Sequence, residues 1–246
     1  MTDSSSILEI NDLCKKFGGI NAIRDLSLHV DQGKITGLLG PNGSGKTTLF
    51  NLITGIYPFD SGSIRFCGDD ISGLPSHRIS LKGISRTFQT TKVFFSQSVV
   101  DNLDIALIAG THKNRIAKKT DDNIDEVLEL TSLSDFRNKN AGGLTHALQR
   151  RLMVAMALLK NPLLLLLDEI TAGMSGEECN GIMDMVVRIQ ENGTAVFMIE
   201  HNMRVAMSLC DHVIVINFGE KIAEGTPGEI TANEKVLEAY LGKDEY

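Results

Sequence analysis

Paired cysteines, long apolar runs and excess positive charge are all missing from this sequence, and each absence narrows what the protein can be. Its 246 residues include four cysteines without a C-x-x-C pair, which is typical of the reduced thiols of a cytosolic protein. The formal net charge of −7 argues against nucleic acid as the main partner. The length suits one large domain or two closely joined lobes with a sizeable core.

No stretch of the sequence is long and apolar enough to predict a membrane span. The most apolar region, residues 152–167, is interrupted by Lys160, Asn161 and Pro162, and neither half approaches the ~20 residues that a span needs. Residues 1–6 are polar and do not predict a signal peptide. Any role at a membrane is therefore expected to come through partner proteins.

A glycine-rich loop that fits G-x-x-x-x-G-K-[ST] is the strongest motif in the chain. It follows a predicted buried strand, residues 35–39, and precedes a helical pattern, a setting in which backbone N–H groups and the helix dipole face an anion. Lys46 can reach the β- and γ-phosphates of a nucleotide, and the Thr47 hydroxyl can ligate Mg²⁺. The sequence therefore predicts binding of ATP or GTP. The predicted nucleotide-binding residues of the loop are Gly40, Pro41, Asn42, Gly43, Ser44, Gly45, Lys46, Thr47 and Thr48.

The rest of the chain shows three successive patterns. Strands are predicted first, with turns at residues 17–19 and 31–33 that favour antiparallel pairing. From about residue 90 to residue 160 the pattern is mainly helical. Strands and helices then alternate, which predicts a parallel sheet covered by helices. The predicted strands are residues 7–10, 20–30, 62–67, 84–88, 163–167, 195–199, 213–216 and 221–223, and the later helices are residues 177–190, 203–209 and 234–241.

Two carboxylates end the apolar strand at residues 163–167, at the sheet edge where the glycine-rich loop is also expected. Asp168 is suited to hold Mg²⁺ through water, and Glu169 to act as the general base for an attacking water. The alternative is a pair that only caps a helix. His201 follows another predicted strand at the same edge and can contact the γ-phosphate or orient water, although a lone histidine is more often structural.

Two further side chains are candidates for the same site. Gln89 closes the predicted strand at residues 84–88 and can reach the same metal and water. Phe17, at the first predicted turn, can stack on an adenine, and the alternative is a half-buried turn aromatic.

Together these motifs resemble, over nearly the whole chain, the ATPase subunit of ATP-binding-cassette (ABC) transporters. The resemblance implies one ABC ATPase domain over residues 1–246, of the α/β P-loop NTPase type. Its RecA-like parallel-sheet core would carry an antiparallel β subdomain and an inserted helical subdomain at about residues 90–160. The implied roles are adenine stacking by Phe17, phosphate binding by the Walker A loop, Mg²⁺ binding by Thr47, Gln89 and Asp168, and catalysis by Glu169, His201 and Gln89.

Several local motifs are similar to those of importers of branched-chain amino acids, at residues 86–89, 199–203, 223–227 and 239–242. The resemblance implies an ATP-hydrolysing subunit for uptake of branched-chain or other hydrophobic amino acids, bound peripherally at the cytoplasmic side of the membrane. Implied partners are a second ABC ATPase, two permease subunits and an extracytoplasmic solute-binding protein. The alternatives are a urea or short-amide importer, an ABC ATPase that acts on nucleic acid or the ribosome, or a non-transport regulatory module.

The signature motif departs from the family pattern. Such subunits usually carry L-S-G-G-Q or L-S-Y-G-Q, whereas residues 144–148 here read L-T-H-A-L. Thr145 keeps a hydroxyl for a partner's γ-phosphate, but Ala147 adds a methyl group where backbone must approach an anion, and Leu148 removes an amide. The D-loop position Ser175 usually holds Asp or Asn, and Ile170 replaces a proline. These departures lead to the hypothesis of a heterodimer with one stronger and one weaker ATP site.

Overall fold

The computed structural model describes residues 6–88, 92–110 and 120–241. None of the helices in this part of the chain has the length and apolar character needed to span a bilayer. The strands are β1 (Ser6–Phe17), β2 (Ile20–Asp31), β3 (Ile35–Leu39), β4 (Ser61–Phe66), β5 (Asp69–Asp70), β6 (Ile84–Arg86), β7 (Leu164–Asp168), β8 (Ala195–Ile199), β9 (His212–Asn217) and β10 (Glu220–Gly225). The α-helices are α1 (Lys46–Ile53), α2 (Ser76–Lys82), α3 (Val99–Gly110), α4 (Thr120–Leu130), α5 (His146–Leu158), α6 (Gly176–Glu191), α7 (Met203–Leu209), α8 (Pro227–Thr231) and α9 (Glu234–Leu241).

The central sheet has the strand order β10-β9-β3-β8-β7-β6. Its strands pair in parallel, except that β10 runs antiparallel to β9 at one edge. Strands β3, β7 and β8 are buried along their whole length because both faces of the sheet are covered. In β7, Leu165 and Leu167 belong to one apolar core and Leu164 and Leu166 to the other. The predicted parallel sheet is confirmed, and its carboxyl ends share one edge.

A second, antiparallel sheet has the order β2-β1-β4-β5. Its first two strands form a hairpin across the predicted turn, with Phe17 opposite Ile20. Antiparallel pairing at the other predicted turn, residues 31–33, is wrong, because that turn connects β2 to a strand of the central sheet. Turn residues allow either connection, whereas the five buried residues of β3 require a strand that is covered on both faces.

Helices α3, α4 and α5 occupy most of the described part of the stretch predicted to be helical. Their apolar side chains, including Leu103, Ile124 and Leu152, join the same core as one face of the central sheet. Strand β6, which precedes this stretch, ends at Arg86 rather than at the predicted residue 88. The Thr87 N–H nevertheless still donates to the Leu166 carbonyl at 2.9 Å, so the chain stays beside β7 as it leaves the sheet.

Candidate nucleotide site

The glycine-rich loop leaves the carboxyl end of β3 and enters α1 in a conformation that only glycine allows at two positions. Gly40 has a φ of +152°, and a Cβ there would lie 2.1 Å from the Ile216 carbonyl oxygen. Gly45, at the N-cap of α1, has a φ of +108°, and its Cβ would lie 2.6 Å from the Ala22 carbonyl oxygen. Backbone atoms cannot yield as a flexible side chain does. The loop is therefore held tightly against β2 and β9, as a phosphate cradle requires.

The Lys46 side chain curls back over this loop. Its ammonium donates to the carbonyl oxygens of Gly40 at 2.7 Å and Pro41 at 2.9 Å. Burial lowers the pKa of Lys46, while the nearby charges of Glu169 and Asp168 act in the opposite direction. These hydrogen bonds of the ammonium are thus to neutral oxygens, and its charge is available to an anion that enters the loop.

Asp168 ends β7 with its carboxylate almost fully buried, at 1% exposure. One oxygen, Oδ2, accepts a hydrogen bond from Arg86 Nη2 at 2.8 Å within a buried ion pair. The other, Oδ1, is buried and has no hydrogen-bond partner among the described residues. A buried carboxylate oxygen without a partner is costly, and a hard divalent cation is the kind of ligand that satisfies it. The donor set therefore fits Mg²⁺.

Glu169 and His201 meet directly at the carboxyl edge of the sheet. Glu169 has a φ of +51°, an unfavourable backbone conformation of the kind found at functional sites. Its N–H donates to the Ile199 carbonyl at 3.0 Å, and its Oε1 forms a close hydrogen bond with His201 Nε2. The histidine is separated from the end of β8 by Glu200 and precedes Asn202, the N-cap of α7. The structure thus brings together two of the three predicted catalytic side chains, and the third, Gln89, lies outside the described residues.

A cavity of about 420 Å³ opens over the loop. It is lined by Lys46, Thr47 and Thr48 from the loop side and by Glu169 and His201 from the sheet edge. This is the space in which a nucleotide's phosphates would meet most of the described residues predicted to act on them. Gly40, Pro41 and the buried Asp168 lie outside the lining.

Arg24 and Phe218 are among the residues that also line this cavity and that sequence reasoning missed. Phe218 is 74% exposed and has a φ of +48° in the turn between β9 and β10. The next residue, Gly219, anchors this turn to the loop, because its N–H donates to the Ser44 carbonyl at 2.9 Å. An exposed aromatic beside a glycine in a hairpin turn is the sequence signal that would have pointed to it.

Phe17, predicted to stack on adenine, is 43% exposed at the end of β1. Its ring packs edge-on against Tyr57 with centroids 5.4 Å apart, and the Lys15 ammonium lies 5.2 Å from its centroid. The turn that follows it reaches the cavity through Gly19 and Ile20. Phe17 therefore stands beside the cavity with much of its ring accessible, and its stacking role stays a prediction.

The altered signature lies at the N-terminus of α5, outside this chain's own cavity. Thr145 is the N-cap residue, and its hydroxyl accepts from the Leu148 N–H at 3.4 Å. Ala147 is 8% exposed, and the partly buried Leu148 packs against the helical core. Of the predicted partner-binding residues, Thr145 is thus exposed and Ala147 is largely covered.

A further buried carboxyl group, Glu200, lies next to the histidine and was not predicted. It is 2% exposed, and its Oε2 accepts from the Thr171 hydroxyl at 2.9 Å. Burial raises the pKa of Glu200 to about 7, reinforced by the charge of Glu169 and opposed by the hydrogen bonds from Thr171. The residue ties the loop after β7 to the loop after β8.

We expect the Glu200 carboxyl to make the fold less stable as the pH rises towards about 7. An unfolded glutamate titrates near pKa ~4.3, so the native state binds this proton more tightly and its stabilising contribution is complete below that pH. The contribution, roughly 3–4 kcal/mol, is lost as the pH rises through the folded-state pKa. Urea unfolding at a series of pH values measures it. Glu200→Gln should flatten this profile and the exposed control Glu191→Gln should not; an equally steep profile in Glu200→Gln would contradict the assignment.

Comparison with known proteins places this geometry in a family. A family model described as ABC transporter matches residues 23–172, more than half of the chain. The chain belongs to the ABC transporter ATPase family. A second model, described as branched-chain amino acid ATP-binding cassette transporter, matches residues 220–246.

Relatives of this ABC ATPase match it from end to end. The branched-chain amino acid transport ATP-binding protein BraF of Pseudomonas aeruginosa is 38% identical, over 98% of this chain and 99% of its own length. The corresponding LivG of Escherichia coli is 34% identical over the same shares. The lipopolysaccharide export ATP-binding protein LptB of Escherichia coli is 36% identical over 96% of this chain and 98% of its own.

Solved structures of ABC cassettes share the whole fold. A nucleotide-free ATP-binding cassette superposes with a TM-score of 0.87 at 30% identity, over 97% of this chain and all of that one. A cassette in its ADP conformation superposes with a TM-score of 0.88 at 30% identity, over 97% and 99% of the two chains. The predicted α/β P-loop fold of the ABC type is confirmed, as is the prediction of an ATPase.

Proposed function

We propose that this ABC ATPase powers an importer of branched-chain or other hydrophobic amino acids. Identity over the whole chain does not decide the substrate, because the exporter subunit LptB is nearly as similar as BraF. The observation that carries the proposal is the match of the C-terminal residues 220–246 to the branched-chain amino acid family model. Urea or short-amide import is the competing assignment within importers.

The chain's own residues supply the parts of a hydrolytic site. The loop and Lys46 hold the β- and γ-phosphates of ATP, and Phe17 stacks on the adenine. Thr47, Asp168 and Gln89 hold Mg²⁺, which when bound offsets phosphate charge. Support comes from the loop geometry at Gly40 and from Oδ1 of Asp168, which has no hydrogen-bond partner within the described ranges.

Glu169 is proposed as the general base. Its carboxylate lines the cavity opposite the loop and can take a proton from a water aligned with the γ-phosphate. His201, hydrogen-bonded to Oε1 of that carboxylate, holds its orientation and keeps one oxygen directed away from the water. Gln89 is proposed to help position the same water.

A second groove, of about 400 Å³, fits the proposed permease contact. It lies between β6, α2 and α5, and its wall is mostly apolar, including Ile79, Phe88 and Met156. Lys92 and Lys160 also line it. A short permease helix with an apolar face and carboxylates at its ends matches this combination.

We propose that residues 1–246 form one ABC ATPase domain, with the helices at about residues 90–160 as a subdomain that couples this groove to the nucleotide site.

The proposed assembly contains two permease subunits, a second ABC ATPase and an extracytoplasmic solute-binding protein, with this chain peripheral at the cytoplasmic side of the membrane. The test is uptake by vesicles that contain the reconstituted assembly with ATP on the cytoplasmic side. We expect ATP-dependent uptake of labelled branched-chain amino acids.

Replacing Lys46 with alanine should weaken ATP binding by about 10-fold or more, because a charge-assisted contact is lost, and uptake should fall with it.

Competing solutes separate the alternatives in the same vesicles. Uptake of urea or acetamide in preference to branched-chain amino acids would replace the amino-acid assignment. Purification of the native chain with nucleic acid or ribosomes, and without membrane proteins, would contradict the transport role altogether.

A further inference from the structure

Arg86 occupies a position that the roles assigned above do not explain. It is the last residue of β6, and its side chain is 5% exposed. A guanidinium this deeply buried costs desolvation free energy and needs matched partners. Its Nη2 donates to Asp168 Oδ2 at 2.8 Å, so the partner is the carboxylate proposed to hold Mg²⁺.

The second terminal nitrogen of the guanidinium also has a hydrogen-bond partner, and two aromatic rings lie near its central carbon. Nη1 donates to the Asn51 side-chain oxygen at 2.7 Å. The Phe50 and Phe88 rings lie 5.4 Å and 5.2 Å from its central carbon. Both terminal nitrogens have partners and two rings lie near the guanidinium, whereas Nε is buried without a hydrogen-bond partner among the described residues. The contacts from α1 and from the chain after β6 therefore restrict Arg86 to one rotamer.

The two carboxylate oxygens of Asp168 differ in their hydrogen bonding. Asp168 Oδ2 is taken by Arg86, whereas Oδ1 is buried without a hydrogen-bond partner in the described part of the chain. The charges of Lys46 and Arg150 also interact with this carboxylate, but its ion pair within the described residues is the one with Arg86. A metal-ligating carboxylate whose second oxygen is fixed by a hydrogen bond is a recurrent outer-shell arrangement.

We propose that Arg86 is a positioning residue for the metal-binding carboxylate. Its guanidinium holds Oδ2 of Asp168 in one orientation and thereby leaves Oδ1 available to the Mg²⁺ that accompanies ATP. This inference rests on the proposed role of Asp168. It assigns to Arg86 a part of the metal affinity of the site, separate from the phosphate affinity supplied by Lys46.

The metal-dependent gain in ATP affinity tests this role without relying on turnover. Calorimetry on the full chain gives the dissociation constant of ATP with Mg²⁺ and with EDTA, and their ratio is the gain. Arg86→Met should reduce the gain by about 10- to 100-fold, the usual effect of losing an outer-shell partner, and leave binding in EDTA unchanged. Arg86→Lys, which keeps the charge but not the fork, should show a smaller loss. The exposed control Arg65→Met should retain the wild-type gain.

A thermodynamic cycle shows whether Arg86 acts through Asp168. Asp168→Asn should abolish most of the gain, and adding Arg86→Met should lower it no further. If Arg86→Met does not fold, Arg86→Lys decides, since it preserves a cation beside the buried carboxylate. A wild-type gain in the folded Arg86 variants would overturn the inference. Absence of any gain in the wild-type chain would instead contradict the proposed metal role of Asp168.

Discussion

Replacing Glu169 with glutamine should slow ATP hydrolysis at this chain's own site by at least ~100-fold and leave ATP binding nearly intact. Glutamine has the shape of glutamate but cannot accept a proton from water. It can still hydrogen-bond His201, so the contact observed at Oε1 is retained. Because the loop and Lys46 lie on the other side of the cavity, phosphate binding should be little affected.

The measurement is ATPase activity of the reconstituted complex whose other ATP site has been disabled. Disabling that site is necessary because turnover there would mask the loss. A matched control is Glu177→Gln, the same exchange at an acidic residue in the first turn of α6. Normal hydrolysis in the Glu169 variant would show that the base is another residue. Loss of binding together with hydrolysis would show that Glu169 is needed to hold the nucleotide.

Much of the fold could be predicted because its strongest signals are local. Strands β3 and β8 and helix α7 have the predicted bounds, since apolar runs with clear ends fix both type and length. The turn at residues 31–33 was misread because its residues suit a hairpin and a crossover between sheets equally well. Which sheet a strand joins depends on what covers its faces, and this is a property of the whole chain.

Some residues of the candidate site could also be predicted from local signals, and others could not. The loop, Asp168, Glu169 and His201 were predictable because each ends an apolar strand of one parallel sheet. Arg86 and Glu200 were not, because a single charged residue within or after a strand reads as exposed until its buried partner is known. Their partners, Asp168 and Thr171, lie 82 and 29 residues away in the chain.

The signature at the start of α5 predicts unequal ATP sites. In this family each ATP would lie between one chain's loop and the other chain's signature, so a homodimer would carry the altered residues at both sites. The structure shows the partly buried Leu148 packed against the core and Ala147 largely covered, which leaves Thr145 and His146 as the exposed side chains of the segment. Few groups therefore remain to contact a partner's nucleotide. A heterodimer would confine that deficiency to one site.

Restoring the usual residues, with Ala147→Gly and Leu148→Gln together, should raise turnover at the partner's site by roughly 10- to 100-fold, the scale of lost anion-stabilising donors. The fold should tolerate the change. Position 148 is the third residue of α5 after the Thr145 N-cap, so glutamine there completes a T-x-x-Q capping box and offsets part of the lost leucine packing. Glycine at position 147 costs about 0.5–1 kcal/mol of helix stability. Thermal unfolding of the double variant measures the net effect of these changes on stability.

The decisive measurement uses the Glu169→Gln background, in which the remaining hydrolysis comes from the partner's site. Two results together would establish the asymmetry. Restoring the signature raises turnover in this background, and it changes turnover at this chain's own site little when the partner's site is disabled instead. The single change Ala147→Gly separates close backbone approach from the added amide of Leu148→Gln. If neither substitution raises turnover at the partner's site, the native segment already serves the partner's nucleotide. Full, cooperative hydrolysis by this chain alone with its native signature would refute the heterodimer, because both sites would then be closed by the same altered residues.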